Sequence, residues 1–152
     1  LPEIAPTNPY CHLTTALQTQ VKFLGLYQIP RVDVQVSGVF RNEPGPQILA
    51  NFNATNAVVA PSLGRSLSGG VANVSVNLVE PGTMYGDRLT QLDLRFGKVL
   101  RFGRTRAMAS VDLYNAFNGN AVLTYSNAFA TWLRPQSILL ARFVKFSAQF
   151  DF

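Results

Sequence analysis

The sequence predicts an all-β fold: antiparallel transmembrane β-barrel strands, a partial barrel of about five long strands with long extracellular loops. Three observations carry this. Five segments alternate apolar and polar residues with the two-residue period of a strand. Their connections alternate between short turns and long polar loops, as the two ends of an outer-membrane barrel do. The last segment keeps its alternation up to a terminal aromatic residue, Phe152. Only 14% of the residues are charged, against roughly 25% in soluble domains.

The first strand is expected over about 18–28, with Thr19, Val21, Phe23, Gly25 and Tyr27 on one face and Gln18, Gln20, Lys22 and Gln28 on the other. Pro30-Arg31 reads as a tight turn into a second strand, 32–41. There Val32, Val34, Val36, Gly38 and Phe40 oppose Asp33, Gln35, Ser37 and Arg41. A polar stretch from Asn42 to about Asp87 follows, rich in Asn, Gly, Ser and Pro. Within it Val74, Val76 and Leu78 alternate with Asn73, Ser75 and Asn77, as in a small loop hairpin. A connection of this length is uncommon inside a compact soluble domain and ordinary outside a barrel.

The third strand is expected over 88–101, with Leu92, Leu94 and Phe96 opposing Gln91, Asp93 and Arg95. A short turn at Phe102-Gly103-Arg104 leads to the fourth, 106–115, where Ala107, Ala109, Val111 and Leu113 oppose Arg106, Ser110 and Asp112. A second loop, Asn118 to Pro135, carries Trp132. The fifth strand takes 138–152: Ile138, Leu140, Val144, Phe146, Ala148, Phe150 and Phe152 share a face, opposite Lys145, Ser147, Gln149 and Asp151.

The whole chain, 152 residues and 16.7 kDa, is the size of one domain and reads as the C-terminal segment of an outer-membrane barrel. Its longest apolar runs, such as Ile138 to Ala141, fall far short of the roughly 20 residues of a spanning helix, so a membrane is reached through strands. The start, Leu1-Pro2-Glu3-Ile4-Ala5-Pro6, has no basic n-region or apolar h-region. An exported barrel needs a secretion signal, so the numbering is expected to begin after a cleavage or inside a longer polypeptide. An odd strand count points the same way, because five strands leave two unpaired edges that hydrocarbon does not tolerate.

Cys11 is the only cysteine and His12 the only histidine, too few ligands for a zinc site. The net charge of +5 and pI near 9.8 come from scattered basic residues, which read as strand faces or lipopolysaccharide contacts and not as a nucleic-acid surface. There is no phosphate-binding glycine loop, metal cluster or nucleophile elbow, and a Ser-His-Asp triad would need His12 from a loop. No enzyme, cofactor or metal is expected. Asn53-Ala54-Thr55 and Asn73-Val74-Ser75 match a glycosylation acceptor, a match without meaning in a bacterial protein.

The terminal Phe146, Phe150 and Phe152 resemble the C-terminal signal by which bacterial outer-membrane proteins are recognised for barrel assembly. Further strings resemble the C-terminal region of TonB-dependent receptor-like proteins that carry a carboxypeptidase-regulatory-like domain. They are Gly45-Pro46, Leu63-Gly64-Arg65, Asn77-Leu78-Val79-Glu80-Pro81-Gly82-Thr83-Met84-Tyr85 and Arg88-Leu89-Thr90-Gln91-Leu92-Asp93-Leu94-Arg95. Asp112-Leu113-Tyr114-Asn115-Ala116-Phe117-Asn118 is similar to the penultimate strand of many such receptors. Trp132-Leu133-Arg134-Pro135 and Arg142-Phe143-Val144-Lys145-Phe146 fit their final loop and strand. The resemblance covers nearly the whole chain. It implies a 22-stranded barrel, a plug inside it, and energy delivered through TonB. Plug, TonB box and the other strands lie outside these residues, so transport by this chain alone is not expected.

The candidate site residues follow from these readings. Val32, Val34, Val36, Phe40, Leu92, Leu94, Phe96, Val111, Leu113 and Val144 would meet lipid, together with Phe146 and Phe150. Asp93, Arg95, Arg106 and Asp112 would face the lumen, as cross-strand pairs before anything else. The expected partners are outer-membrane lipid and lipopolysaccharide, the remaining barrel and plug or other copies of the chain, and TonB only through the absent plug. The expected location is the bacterial outer membrane, or the outside of the cell if a fragment is released in assembled form. Two other readings stay open: a self-assembling structural β-protein, as an oligomeric barrel or fibre, and a soluble all-β binding module such as a glycan-recognising sandwich.

Overall fold

The structure, a computed structural model, describes Tyr10, residues 13–103 and residues 105–151. In chain order its elements are β1 (Val21–Ile29), β2 (Val34–Glu43), β3 (Asn51–Thr55), α1 (Asn56–Leu63), β4 (Asn73–Asn77), β5 (Leu89–Phe102), β6 (Thr105–Tyr114), β7 (Val122–Tyr125), β8 (Pro135–Ile138) and β9 (Phe143–Asp151). The fold is all-β. Five strands form one sheet in the order β1-β2-β5-β6-β9, and every neighbouring pair is antiparallel. Two small two-stranded sheets, β3-β4 and β7-β8, lie within the long connections. Among the described residues, β1 pairs only with β2 and β9 only with β6, so the main sheet is open.

The chain forms two units. One is the five-stranded sheet with its flanking residues, Gln18–Gly45, Asp87–Val122 and Ile138–Phe152. The other gathers the two long connections, Pro46–Gly86 and Leu123–Ser137, with the preceding residues 13–17.

In the sheet unit the expected strands appear with shifted ends. β1 starts at Val21, so Thr19 lies before it, and β2 starts at Val34. Val32, expected to meet lipid from the second strand, instead sits in the turn, about half exposed. Arg31 and Asp33 there have left-handed φ values of 74° and 51°, which no strand residue adopts. The turn is anchored by Val99 N donating to Asp33 O at 2.9 Å and by an Arg101–Asp33 ion pair at 3.1 Å. The other short turn holds Gly103 at φ 61°; Arg104 lies outside the described residues. The last strand begins at Phe143 rather than at 138. Ile138 belongs to β8, and residues 139–142 carry no strand.

In the loop unit the polar connections are folded. β3 pairs with β4 over five residues, Asn51↔Asn77 to Thr55↔Asn73. The α1 helix ends at Gly64, whose φ of 70° and N–H bond to Ala60 O make a left-handed stop. Asn51 N donates to Asn127 O at 2.6 Å, Trp132 Nε1 to Leu49 O at 3.1 Å, and Phe52 meets Phe129 edge-on at 5.5 Å. These contacts join the two connections around the buried Ile48, Ala50 and Ala54.

Candidate functional site

Cross-strand partners share a face of a sheet, so the register sorts every side chain of the five strands. One face is a series of apolar rows. Tyr27, Val36, Phe96, Val111 and Phe146 form one complete row, and Gly25, Gly38, Leu94, Leu113 and Val144 the next. Phe23, Phe40 and Leu92 lie beyond them toward the long connections; Leu100, Ala107 and Phe150 lie toward the short turns. Within the sheet unit, no described element packs over these rows. Phe146 is 77% exposed and Phe23 67%, and Ala107 alone among the apolar residues of this sheet is buried. A water-soluble sheet buries such a face to gain roughly 25 cal/mol per Å².

The rows end in a definite way. At the long-connection end Phe23 and Phe40 lie 6.2 Å apart, with Phe117 edge-on to Phe40 at 6.5 Å. One row further the face turns polar: Asn42 Nδ2 donates to Thr90 Oγ1 at 2.7 Å, and Arg88 Nη2 donates to Asn42 Oδ1 at 2.7 Å. At the short-turn end the face closes with Phe102 and Phe150. Leu92 and Phe102 are ten residues apart on β5, about 34 Å at the rise of a strand. Lys98, between Val34 and Ala109 in the register, is the one charged residue on this face among the described residues of the five strands.

The other face is polar. Ser37, Arg95, Asp112 and Lys145 form a row across β2, β5, β6 and β9. Arg95 grips Asp112 with two bonds, Nε to Oδ1 and Nη2 to Oδ2, the second at 2.9 Å. Asp112 is only 2% exposed, so its charge needs this fork. Asp93 accepts from Gln91 Nε2 at 2.8 and 2.9 Å, and Arg41 Nη2 donates to Gln91 Oε1 at 2.6 Å. The Ser110 and Ser147 hydroxyls pair at 2.7 Å, and Lys22 pairs with Glu43 at 3.0 Å. This face carries apolar side chains too: the Val99–Met108 and Tyr114–Phe143 pairs, and a corner where Leu24, cross-strand from Val39, is 81% exposed and Leu26 65%.

A clamp holds the far end of β6. Asn115 N donates to Asp93 Oδ1 at 2.8 Å, and the Asn115 carboxamide bonds Gly119 N, Gly119 O and Leu140 O at 2.9, 2.8 and 2.8 Å. Asn118 Oδ1 accepts from Arg142 N at 3.0 Å. Asn115 and Asn118 have φ values of 49° and 54°, a region asparagine tolerates better than most residues. Tyr114 and Phe143 stack beside the clamp at 4.7 Å.

No family model, curated protein or solved structure matches this chain.

The structure places the sequence-derived site residues as follows. Val34, Val36, Phe40, Leu92, Leu94, Phe96, Val111, Leu113, Val144, Phe146 and Phe150 share the apolar face. Val32 does not, and Phe152 lies outside the described residues. Asp93, Arg95, Arg106 and Asp112 share the polar face, and one cross-strand pair forms among them. Arg95 and Asp112 pair directly, Asp93 serves the clamp, and Arg106 stands opposite Arg101 and Asp151. Cys11 and His12 lie outside the described residues. Among the described residues no three His, Cys, Asp or Glu side chains gather as a metal site, and no helix is long and apolar enough to cross a membrane.

Sequence reasoning missed four features: the Phe23–Phe40–Phe117 cluster, the Arg88–Asn42–Thr90 cap, the Asn115 clamp and the Leu24–Leu26 corner. Phe23 and Phe40 carried a usable signal, since each sits on the apolar face at the long-connection end of its strand. The cap and the clamp join residues far apart in the chain, and no local pattern announces them.

Proposed function

We propose that this chain supplies the C-terminal strands of an outer-membrane receptor or transporter barrel of the TonB-dependent type, located in the bacterial outer membrane and not competent for transport alone. One observation carries the reading: the exposed apolar face of the sheet, bounded by Phe23 and Phe40 at one end and by Phe102 and Phe150 at the other, and running on β5 from Leu92 to Phe102. Its length of about 34 Å, tilted at 35–45°, spans roughly 24–28 Å of membrane normal, the height of an outer-membrane apolar band. The short turns leave one end of the sheet and the long connections the other, as at the periplasmic and external sides of a barrel. The polar face then looks into the lumen, where Arg95–Asp112 and the Leu24–Leu26 corner would meet a plug. The free edges of β1 and β9 would be met by the remaining strands. Lipid and lipopolysaccharide would contact the apolar face; TonB would act only through the plug.

Lys98 is the residue that fits this reading least, since a lysine within the band is costly. A four-carbon stem can lie along apolar surface and carry the ammonium toward an interface, which lowers that cost without removing it.

The open edges favour a second reading, in which copies of this chain pair edge to edge and build an oligomeric barrel or a fibre. A soluble binding module gains no support from a sheet whose apolar face is bare.

Gel migration of the purified full-length gene product tests the proposal. A closed barrel migrates faster unboiled than boiled, at monomer size. Identical mobility of the two samples, or a ladder of multiples of this chain, overturns it.

A further inference from the structure

The α1 helix is apolar along its length, Ala57-Val58-Val59-Ala60-Pro61, yet none of its residues is buried. Its first residue, Asn56, is tied down by polar bonds instead. Asn56 N donates to Ala72 O at 3.2 Å, Asn56 Nδ2 to Val71 O at 3.0 Å, and Leu67 N to Asn56 Oδ1 at 2.7 Å. Between the helix and the β3-β4 hairpin lies a cleft of about 500 Å³, within the range of small-molecule sites. Val58, Val59, Leu63, Val74 and Val76 form its walls, and Arg65, Ser62 and Ser68 supply the polar groups. Arg65 spends one N–H on Ser66 O at 3.2 Å. Among the described residues it has no carboxylate partner, so most of its five donors are open to a ligand.

We propose that this cleft binds a medium-chain aliphatic carboxylate, its chain between α1 and the hairpin and its carboxylate on Arg65. Apolar walls reward the chain and are indifferent to hydrogen bonding. A guanidinium matches a carboxylate with two parallel bonds, a match an alcohol does not offer. The cleft lies within the loop unit, so the inference goes beyond the barrel reading and does not depend on it.

The test is a titration of the full-length protein with octanoate, octanol and acetate. The methyl NMR signals of Val58, Val59, Val74 and Val76 are followed. The expected result is a saturable shift with octanoate, binding of octanol about tenfold weaker, and none with acetate. Arg65→Gln is expected to lower octanoate affinity about tenfold while leaving octanol unchanged. Arg65 is exposed, so this variant keeps its fold. Absence of a saturable shift at these methyls overturns the proposal, as does an Arg65→Gln variant that binds octanoate as well as the parent. Neither result alters the migration of the barrel on a gel.

Discussion

Asn115 donates from Nδ2 to the carbonyl of Leu140 at 2.8 Å, joining the exit of β6 to the approach of β9 across a long connection. The same side chain also bonds both backbone groups of Gly119, and Asn115 is 2% exposed. Asn115→Ala leaves those buried groups unpaired and puts alanine at φ 49°. The expected destabilisation is about 2–4 kcal/mol. Asn115→Gly should recover about 1 kcal/mol of it by relieving the backbone alone. Denaturant unfolding of the reconstituted protein checks both values.

Arg95 and Asp112 are expected to be coupled. Arg95 is 46% exposed by side chain while Asp112 is buried, so solvent screens one side of the pair only. A double-mutant cycle with Arg95→Gln and Asp112→Asn should give a coupling of about 1–2 kcal/mol. The single Arg95→Gln change should cost more than the double, because it strands a buried carboxylate.

The five-strand plan was legible because alternation is a local signal that the register of a sheet preserves. Leu92, Leu94 and Phe96 read as one face before any partner strand was known. The ends were less legible. Val32 continues the alternation of Val34 and Val36, but the turn requires left-handed backbone at Arg31 and Asp33, and apolar period cannot report that. Ile138 and Leu140 fall in step with Val144, yet Arg142 N is bonded to Asn118 Oδ1, and residues 139–142 are held by the clamp instead of a strand. The loop unit was the least legible part. β3 and β4 are Asn-rich and short, and their stability comes from contacts such as Phe52–Phe129 between distant segments. The α1 helix had one local marker, Gly64 after Leu63, which is a helix stop.

Lys98→Leu should stabilise the protein if its face meets lipid. Removing a lysine from the interior of an apolar band is worth about 1–3 kcal/mol. The reverse change two rows on, Leu94→Arg, should cost about 2–4 kcal/mol near the midplane. Unfolding from lipid vesicles measures both, and opposite signs are required.

Two glycines should respond differently to alanine. At Gly86 a Cβ would lie 2.7 Å from Tyr125 Cε2 and 3.2 Å from Pro46 Cδ, both rigid rings, and a cost of about 1–3 kcal/mol is expected. At Gly97 the close atom is Met108 Cε at 2.7 Å, the end of a flexible chain. Gly97→Ala should fall within about 0.5 kcal/mol of the parent. Thermal unfolding of the two variants side by side separates them.

Nitroxide scanning in lipid vesicles reads directly what touches the apolar face of β5. Labels are placed singly at Leu92, Asp93, Leu94, Arg95, Phe96 and Gly97, and collisions with oxygen and with a polar nickel complex are compared. A face in contact with acyl chains gives high oxygen and low nickel accessibility at Leu92, Leu94 and Phe96, with the opposite at Asp93, Arg95 and Gly97. Nickel reaching Leu94 and Phe96 as readily as Arg95, or both reagents excluded from them, would contradict that contact.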